Sequence, residues 1–506
     1  MHKRRSRLLL GVASLAAAAL AFASAQVANR AEATTAQSAA VVVSKMTGPN
    51  STSDTPGNWG IYSTDLGVMW DNGSGEILAA FGDTFGNTWA PPGGNGNDWR
   101  SQVLLRSNDT NLADGMSFQS AATDVSGHAK ELIPSQKIDN VEMTVIPTAG
   151  ISVGSRQYLA YMSVRHWGVP GSWDTNYAAI AYSDDNGQTW VTTGAPTWTN
   201  TGGTNKFQQV AFVRDGGYVY MFGTPNGRTG SAYLARVAET DVLVKASYEY
   251  WTGSAWSSTE SAAGAVVSAP VAELSVQKNT YSGKWLMTYM QGTDIVLRNA
   301  TGPTASWSSP EVLASDADYP GLYGGFMHPW SSGSDLYFAL SQWDPYNVYL
   351  MHVSITTSGT IAYPNLVSDP SFERQTTSSA SSPWACTGNC GIDNSIWGVT
   401  GDRNGFVRYN SGWHDIHQLV SVAQNTDYRM TGWLRTSSNN DNGFFGVRNV
   451  GGAPISEVNF TSVGSWTRYS VTFNSGSLTQ VELFTGIWTD NGDMWVQTDD
   501  YSLTSY

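Results

Sequence analysis

The chain has 506 residues and a formal net charge of −14 at pH 7, with 27 Lys and Arg against 41 Asp and Glu. Only 13% of the residues are charged and the balance is acidic, which argues against a nucleic-acid partner and favours a neutral polar ligand. The 52 Gly, 21 Trp and 23 Tyr are typical of a β-rich extracellular protein rather than a helical one.

The N-terminus has the three parts of a secretory signal peptide. MHKRRSR is basic, the alanine-rich run that follows is apolar, and small residues come after it. The run is too short and too rich in alanine for a membrane anchor. We therefore predict a signal peptide over residues 1–33 and a linker over 34–45. The mature protein is expected to be secreted, extracellular and monomeric, with no membrane partner.

A change of composition near residue 360 divides the rest of the chain into two units, predicted over 46–358 and 362–506. The first unit repeats a short apolar-aromatic strand five times, as EILAAF, QYLAYMSV, GYVYMF, KWLMTYM and DLYFAL, each followed by a second strand. No amphipathic helix separates the repeats. The pattern predicts an all-β fold in which the first unit is a five-bladed β-propeller.

One loop supports this fold. SDDNGQTW matches the Asp-box pattern through Ser183, Asp185, Gly187, Thr189 and Trp190. We expect a tight turn between the outer strands of a blade, with the aspartate bonding backbone amides, the glycine at positive φ and the tryptophan packed inward. Its meaning is structural, so it does not specify an activity.

The segments just before the repeats are predicted to be the inner strands that line the central channel. They place polar residues at similar positions: Asp65, Glu142, Gln208 or Gln209, Glu273 and His328. Acidic residues in three of five inner strands are unexpected in a packed interior. They predict a carboxylate-lined pocket at the axis.

Two aspartates flank the hairpin STDLGVMWDNGSGEILAAFGDTFG. If the hairpin is regular about Ser74, Asp65 faces Asp83 across the strands. Like charges at that spacing destabilise a sheet, so the pair needs a compensating reason. Nearby carboxyls split their pKa values, as a glycosidase requires for an acid and a nucleophile or base. The alternative is that either aspartate caps a turn or binds a structural cation, and a bulge would break the register.

Other polar residues are weaker candidates for the same site. Glu142 and Glu273 are predicted as acid, base or neighbours that tune a pKa, against a hydrogen-bonded structural role. Substrate contacts are predicted for a further set: Arg100, Arg165, His166 and His328. Catalysis in this scheme needs no cofactor.

The hairpin, with VEMTVIPTAGI downstream, resembles the endo-D-arabinanases of glycoside hydrolase family 183, over about residues 46–358. The resemblance implies a five-bladed propeller that cuts α-linked D-arabinofuranosyl chains, such as those of mycobacterial arabinogalactan and lipoarabinomannan. It also implies that Asp65 and Asp83 are catalytic. Glu142 lies in a motif similar to one of that family, without an implied role.

The second unit has the strand-rich pattern of a β-sandwich jelly roll. Cys386 and Cys390 are predicted to form a local disulfide, and Trp397 and Trp413 to stack on sugar. The SFE and DD motifs at its two ends resemble those of carbohydrate-binding modules, in which they meet at a structural Ca²⁺. That resemblance implies a set of candidate ligands, with ordinary turn acids as the alternative: Glu373, Asp499 and Asp500.

The leading hypothesis is thus a secreted endo-D-arabinanase with a carbohydrate-binding module and a polysaccharide partner. A sialidase-like glycosidase is suggested by the Asp box, but the box occurs once and no arginine cluster accompanies it. A non-catalytic lectin or adhesin is the alternative from a different class.

Overall fold

The computed structural model describes residues 37–331, 333–490 and 492–506, so the predicted signal peptide lies outside the described residues. The short helices are α1 (Thr55–Trp59) and four 3₁₀ turns at Leu112–Asp114, Glu239–Asp241, Lys245–Ser247 and Glu260–Ala262. Across the described ranges, no helix has both the length and the apolar character needed to span a bilayer.

The strands of the first unit, in chain order, are β1 (Val41–Lys45), β2 (Leu66–Asp71), β3 (Ile77–Phe81), β4 (Val103–Ser107), β5 (Ser120–Ala121), β6 (Thr123–Val125), β7 (His128–Ala129), β8 (Thr144–Val153), β9 (Arg156–Trp167), β10 (Trp173–Ser183), β11 (Thr197–Thr199), β12 (Gln209–Asp215), β13 (Tyr218–Thr224), β14 (Ala232–Ala238), β15 (Glu249–Trp251), β16 (Trp256–Ser257), β17 (Ala265–Val267), β18 (Ala272–Lys278), β19 (Trp285–Gln291), β20 (Asp294–Ala300), β21 (Glu311–Ala314), β22 (Leu322–Met327), β23 (Asp335–Gln342) and β24 (Asn347–Ser354).

These strands form the five blades of a β-propeller, as predicted. The blades are β2–β5, β8–β11, β12–β17, β18–β21 and β22–β24 with β1, while β6 and β7 pair separately. The first strand of each blade contacts the first strand of the next, and β22 contacts β2, so the five strands surround one axis. They are the predicted inner strands. Part of the predicted linker is instead a strand, because β1 pairs with β24 and completes blade 5.

The Asp box forms the predicted turn between β10 and β11. Asp185 accepts hydrogen bonds from the Thr189 amide at 2.8 Å and from the Ser183 hydroxyl at 2.8 Å. Gly187 has φ of +79° beside Leu104 of blade 1, a conformation that other residues rarely adopt. Trp190 packs edge-on against Trp70 at 6.4 Å. The turn therefore anchors blade 2 on blade 1.

The second unit is a β-sandwich of two five-stranded sheets, in the orders β25-β28-β33-β30-β31 and β26-β27-β34-β29-β32. Its strands are β25 (Trp384–Thr387), β26 (Cys390–Asp393), β27 (Asn404–Tyr409), β28 (Gly412–Ser421), β29 (Asp427–Thr436), β30 (Gly443–Arg448), β31 (Pro454–Phe460), β32 (Thr467–Asn474), β33 (Gln480–Thr489) and β34 (Met494–Ser505). The predicted disulfide between Cys386 and Cys390 is present. We call this unit the C-terminal module.

The module packs directly on the propeller. Val399 belongs to the same buried cluster as the core of blades 1 and 5. Arg374 of the module forms an ion pair with buried Asp318 of the propeller at 2.7 Å. An apolar contact and a buried ion pair hold the module in one position on the propeller.

Candidate active site

The site lies at one face of the propeller. Asp65 immediately precedes β2 and Asp83 follows β3 by two residues, so both side chains lie where the inner strand begins and the second strand ends. The corresponding ends of the other blades bring Thr144, Glu273 and Tyr323 to the same face. The sequence thus places these polar groups together through the repeated geometry of the blades.

The register of the first hairpin differs from the regular one. Val68 pairs with Ala80, as predicted, but Leu66 pairs with Phe81, which leaves Gly67 as an extra residue in a bulge. The Asp65 carbonyl accepts a hydrogen bond from the Gly82 amide at 3.0 Å. The predicted direct pairing of the two aspartates is therefore wrong, because the bulge places Gly82 opposite Asp65.

The surroundings of Asp65 favour its protonated, neutral form. Tyr323 donates a hydrogen bond to Oδ2 at 3.0 Å, whereas Oδ1 is buried and accepts none from any residue that the structure describes. Burial and the neighbouring charge of Asp83 raise the pKa of Asp65 to about 8, against opposing hydrogen bonds from Tyr346 and Tyr323. The group is therefore protonated at neutral pH.

The surroundings of Asp83 stabilise its negative charge more than those of Asp65 do. Oδ1 accepts hydrogen bonds from the Thr144 hydroxyl at 2.5 Å and from the Trp99 indole at 2.8 Å. Burial raises the pKa of Asp83 to about 6, while these two bonds and the charge of Lys137 act to lower it. The two carboxyls therefore hold different charges at pH 7, which is what acid–base catalysis needs from such a pair.

Glu273 lies beside Asp65, and both of its carboxylate oxygens accept hydrogen bonds. Oε1 accepts two hydrogen bonds from Arg228, at 2.9 and 2.7 Å, and Oε2 accepts one from the Gly324 amide at 3.0 Å. The residue is 9% exposed and has φ of +48°, a strained value for a side chain of its size. The charge of Glu273 contributes to raising the pKa of Asp65, as predicted for a neighbour that tunes a pKa, while a role as acid or base stays a prediction.

Glu142 is also held by its neighbours. Oε2 accepts a hydrogen bond from the Ser163 hydroxyl at 2.6 Å and Oε1 accepts one from the Gln136 amide at 3.3 Å. It precedes Thr144, the partner of Asp83, by two residues. Glu142 thus lies two residues from a partner of Asp83 and is hydrogen-bonded to its own neighbours, and its role as acid, base or structural residue stays a prediction.

Two of the predicted substrate contacts are wrong because both side chains are buried. Arg100 is 3% exposed and donates hydrogen bonds to the carbonyls of Ala129 and Gly60, each at 2.7 Å, so it fastens loops together. His328 follows the far end of β22 and is 0% exposed, with a pKa that burial lowers to about 4. The residue of β22 that reaches the site is Tyr323, five residues earlier, which bonds to Asp65.

The other two predicted contacts lie at the rim of the site face. Arg165 pairs with Asp174 at 2.8 Å and His166 with Asp139 at 2.6 Å, and all four side chains are exposed. They sit where β9 ends, on the same face as Thr144. A substrate that extends over blade 2 would reach them, so they stay predictions.

Sequence reasoning missed several groups of the site. Thr144, Trp99, Tyr323 and Tyr346 bond to the aspartates, and Arg228 holds Glu273. They come from four different blades and from loops of variable length. The repeat alignment offered a signal only for Thr144 and Tyr323, which lie in the predicted inner strands of blades 2 and 5.

The C-terminal module carries a separate cavity of about 440 Å³ on the sheet that contains β28 and β33. It is lined by Trp413, Asn442, Phe444, Arg448, Gly452, Pro454, Glu457, Phe484 and Trp488. Trp413 thus lines a cavity, and its predicted stacking on sugar stays a prediction. Trp397 does not line this cavity and packs instead against Trp89 of the propeller at 6.3 Å, so the two tryptophans do not share one face.

The predicted calcium ligands come together at the base of the module. Asp500 Oδ2 is buried and accepts no hydrogen bond from a described residue. A methyl group built on Gly398 would lie 2.2 Å from Asp499 Oδ2, 2.6 Å from the Arg403 carbonyl and 2.8 Å from the Thr400 carbonyl. Within the described ranges no three His, Cys, Asp or Glu side chains alone could hold a metal ion. The oxygen-lined hollow suits Ca²⁺ only if backbone carbonyls complete the ligand set.

The propeller region of the chain matches a known protein family. The family described as "Domain of unknown function (DUF4185)" matches residues 50–352. The chain is 32% identical over 335 residues to "Notoamide biosynthesis cluster protein J" of Aspergillus sp. (strain MF297-2), covering 62% of this chain and 87% of that protein. It is 33% identical over 304 residues to protein J' of Aspergillus versicolor, covering 56% and 82%. Among solved structures it is similar to exo-β-1,3-galactanase from Phanerochaete chrysosporium with galactose, at 12% identity and a TM-score of 0.44, covering 92% of this chain and 99% of that one.

Proposed function

The chain belongs to the DUF4185 family, and we propose that it is a glycoside hydrolase that uses Asp65 and Asp83 as its catalytic pair. The observation that carries this proposal is that the carboxyls of Asp65 and Asp83 lie together at one face of the propeller, where burial raises the pKa of both and that of Asp65 most. A structural pair would be expected to have hydrogen bonds to all its buried oxygens, whereas Asp65 Oδ1 has none from a described residue. Because Tyr323 donates to Oδ2, the Asp65 proton lies on Oδ1, from which it can be donated to the leaving oxygen.

The two aspartates take different roles in this mechanism. Protonated Asp65 donates its proton to the oxygen of the leaving sugar. Ionised Asp83 either attacks the anomeric carbon or removes a proton from the attacking water. Thr144 and Trp99 fix the Asp83 carboxylate by hydrogen bonds to one oxygen, which leaves the other for the reaction.

The substrate proposed is a D-arabinan with α-D-arabinofuranosyl linkages, of the kind found in mycobacterial cell walls, cut at internal positions. This choice rests on the likeness of the hairpin around Asp65 and Asp83 to endo-D-arabinanases. A neutral polysaccharide also suits an acidic chain whose site is lined by carboxyls, tyrosines and tryptophans. Secretion is part of the proposal, since the polymer is extracellular and the module has a disulfide.

The proposal is tested by incubating the protein with mycobacterial D-arabinan and sizing the products. We expect a ladder of oligosaccharides, as internal cleavage requires. One small product would indicate cleavage from a chain end. Binding without any product, on this and other furanosyl polymers, would contradict the enzyme and support a lectin.

The pH dependence of kcat/KM is expected to be bell-shaped. Activity should rise as Asp83 ionises, near pH 6, and fall as Asp65 loses its proton, near pH 8. Because the groups interact, the two limbs report the pair. Initial rates on arabinan from about pH 4 to 10 measure both limbs. Activity that stays constant through the alkaline range would show that the Asp65 proton is not used.

We also propose that Ca²⁺ binds the hollow beside Asp499, with Glu373 and Asp500 nearby. Saturating Ca²⁺ is expected to raise the melting temperature of the module by about 5 °C, because an ion that binds only the folded state stabilises it. Calorimetry with Ca²⁺ and with a chelator measures the shift. Asp499→Asn should remove the response, whereas Asp441→Asn, an exposed carboxyl in another loop, should keep it. Equal melting temperatures under both conditions would contradict the site.

A further inference from the structure

A series of aromatic side chains leads from Asp83 towards the C-terminal module. Trp99, which donates to Asp83, stacks on Phe85 with centroids 6.1 Å apart. Phe85 contacts Tyr346 at 6.1 Å, and Tyr346 contacts Trp343 at 5.7 Å. These contacts place Trp343 one aromatic layer beyond the residues that bond to the catalytic pair.

The series continues across the boundary between the two units. The loop at Gly93 lies on the Trp343 ring, since a methyl group on Gly93 would be 2.4 Å from it, and Trp89 donates a hydrogen bond to the Gly93 carbonyl at 2.9 Å. Trp89 then contacts Trp397 of the module at 6.3 Å. We call these six side chains the aromatic track: Trp99, Phe85, Tyr346, Trp343, Trp89 and Trp397.

Burial divides the track into a base and an outer surface. Phe85 and Tyr346 are 6% and 4% exposed, so they form the packed base. Trp343 is 55% exposed, and Trp89 and Trp397 keep part of their surface open. Trp343 packs on Tyr346 with one side and exposes the rest of its indole beside the site face, and an exposed aromatic surface of this kind suits a ligand with flat apolar faces.

The polar groups at this boundary indicate which ligand would fit. Asp344 follows Trp343 directly, and the charge of Asp402 from the module acts on it, so carboxyl groups of both units flank the indoles. Such groups accept hydrogen bonds from hydroxyls and repel anions. A neutral chain of sugar rings has the apolar faces and the hydroxyls that this surface can bind.

Contacts with the propeller hold the module next to this surface. The Gly401 amide, four residues after Trp397, donates a hydrogen bond to Gln342 at 3.4 Å, and Gln342 directly precedes Trp343. Val399 is buried in the propeller core. The loop that carries Trp397 is therefore fixed with respect to Trp343.

We propose that the aromatic track is one side of an extended glycan-binding cleft, so that the C-terminal module completes the substrate site of the propeller through Trp397. This inference rests on the proposed hydrolase function. In this proposal Trp343, Trp89 and Trp397 bind sugar units that lie several units along the glycan from the bond that is cut. The cavity at Trp413 is a different site.

The test measures how the rate depends on substrate length in the full mature protein. Trp343→Ala and Trp397→Ala are each expected to lower kcat/KM for long arabinan roughly threefold to tenfold, the value of one aromatic contact. The rate on the shortest oligosaccharide that is still cleaved should change by less than about twofold, because it does not reach the track. Tyr281→Ala is the matched control, an aromatic residue 46% exposed on the hairpin between β18 and β19, at the opposite face.

A binding measurement separates this inference from the proposed function. The same tryptophan substitutions in an Asp83→Asn background should reduce retardation in native gels that contain arabinan, whether or not the wild type cleaves it. If the wild type cleaves arabinan and neither substitution alters the length dependence or the retardation, the track is not a binding surface. Equal losses of kcat/KM on long and short substrates would also overturn it. So would a fall in melting temperature large enough to account for the lost activity. Trp343→Tyr, which keeps an aromatic face, should recover most of the activity.

Discussion

Asp83→Asn is expected to lower kcat on arabinan by about 10³-fold or more, and Asp65→Asn by about 10²-fold to 10⁴-fold. Asparagine has nearly the shape of aspartate but cannot attack carbon, hold a negative charge or donate an acidic proton. Both variants should still bind the polymer, because the aromatic and tyrosine side chains around them are unchanged. Initial rates and native-gel retardation on the same samples measure the two properties.

The leaving group distinguishes the two roles. The aryl group of an aryl arabino-oligosaccharide leaves as a weakly basic phenolate and needs little help from an acid, so Asp65→Asn should regain much of its rate on that substrate. Asp83→Asn should not. Asp71→Asn is the matched control, since Asp71 ends the strand that Asp65 precedes and bonds to Trp330 at 2.6 Å on the opposite face. Near-normal rates for Asp83→Asn on any substrate would overturn the assignment.

Much of the propeller could be predicted because its information is local and repeated. Five apolar strands that recur along the chain and one Asp box indicate the blades, and the inner strands follow from their position before each repeat. Blade 5 was harder. Its outer strand, β1, comes from the segment predicted as a linker, and pairing across more than 300 residues leaves no local signal.

Only the part of the site that the first hairpin determines could be predicted from the sequence. Proximity of Asp65 and Asp83 follows from a short turn between two strands, but the bulge at Gly67 depends on how β2 packs beside its neighbours, and the sequence pattern does not show this. The positions of Tyr323 and Tyr346 depend on the closing of the ring, since both come from blade 5 and meet Asp65 of blade 1. His328 was misplaced for a related reason: a shift along β22 moves a side chain from one face of the propeller to the other.

The C-terminal module shows a similar division. The fold and the disulfide follow from strand pattern and cysteine spacing, whereas Trp397 and Trp413 were both predicted to stack on sugar from their residue type alone. Trp413 lies in strand β28 and lines a cavity of the module, whereas Trp397 lies in the loop between β26 and β27 and packs on the propeller. Residue type predicts that a tryptophan can stack on sugar, but only the contact between the two units determines which site it belongs to.

Gly82→Ala is expected to lower kcat about 10²-fold although it changes no catalytic group. An alanine methyl would lie 2.2 Å from Asp65 Oδ1, so the carboxyl must move. A displacement of about 1 Å in a reacting group costs a factor of this size. Rates at pH 7 on arabinan measure the loss, and retained retardation in arabinan gels would show that the fold and the binding surface persist.

The glycine substitution also has an internal check. If Gly82→Ala acts only through Asp65, then adding it to Asp65→Asn should cause little further loss, because two changes that disable one group are not additive. Gly302→Ala is the control, a glycine of blade 4 with no atom within 4 Å of the added methyl, and it should have normal rates. Full additivity in the double variant, or normal activity of Gly82→Ala, would mean that the position of the Asp65 carboxyl does not limit the reaction. The hairpin would then supply proximity alone, and the close approach of Gly82 to Asp65 would serve packing.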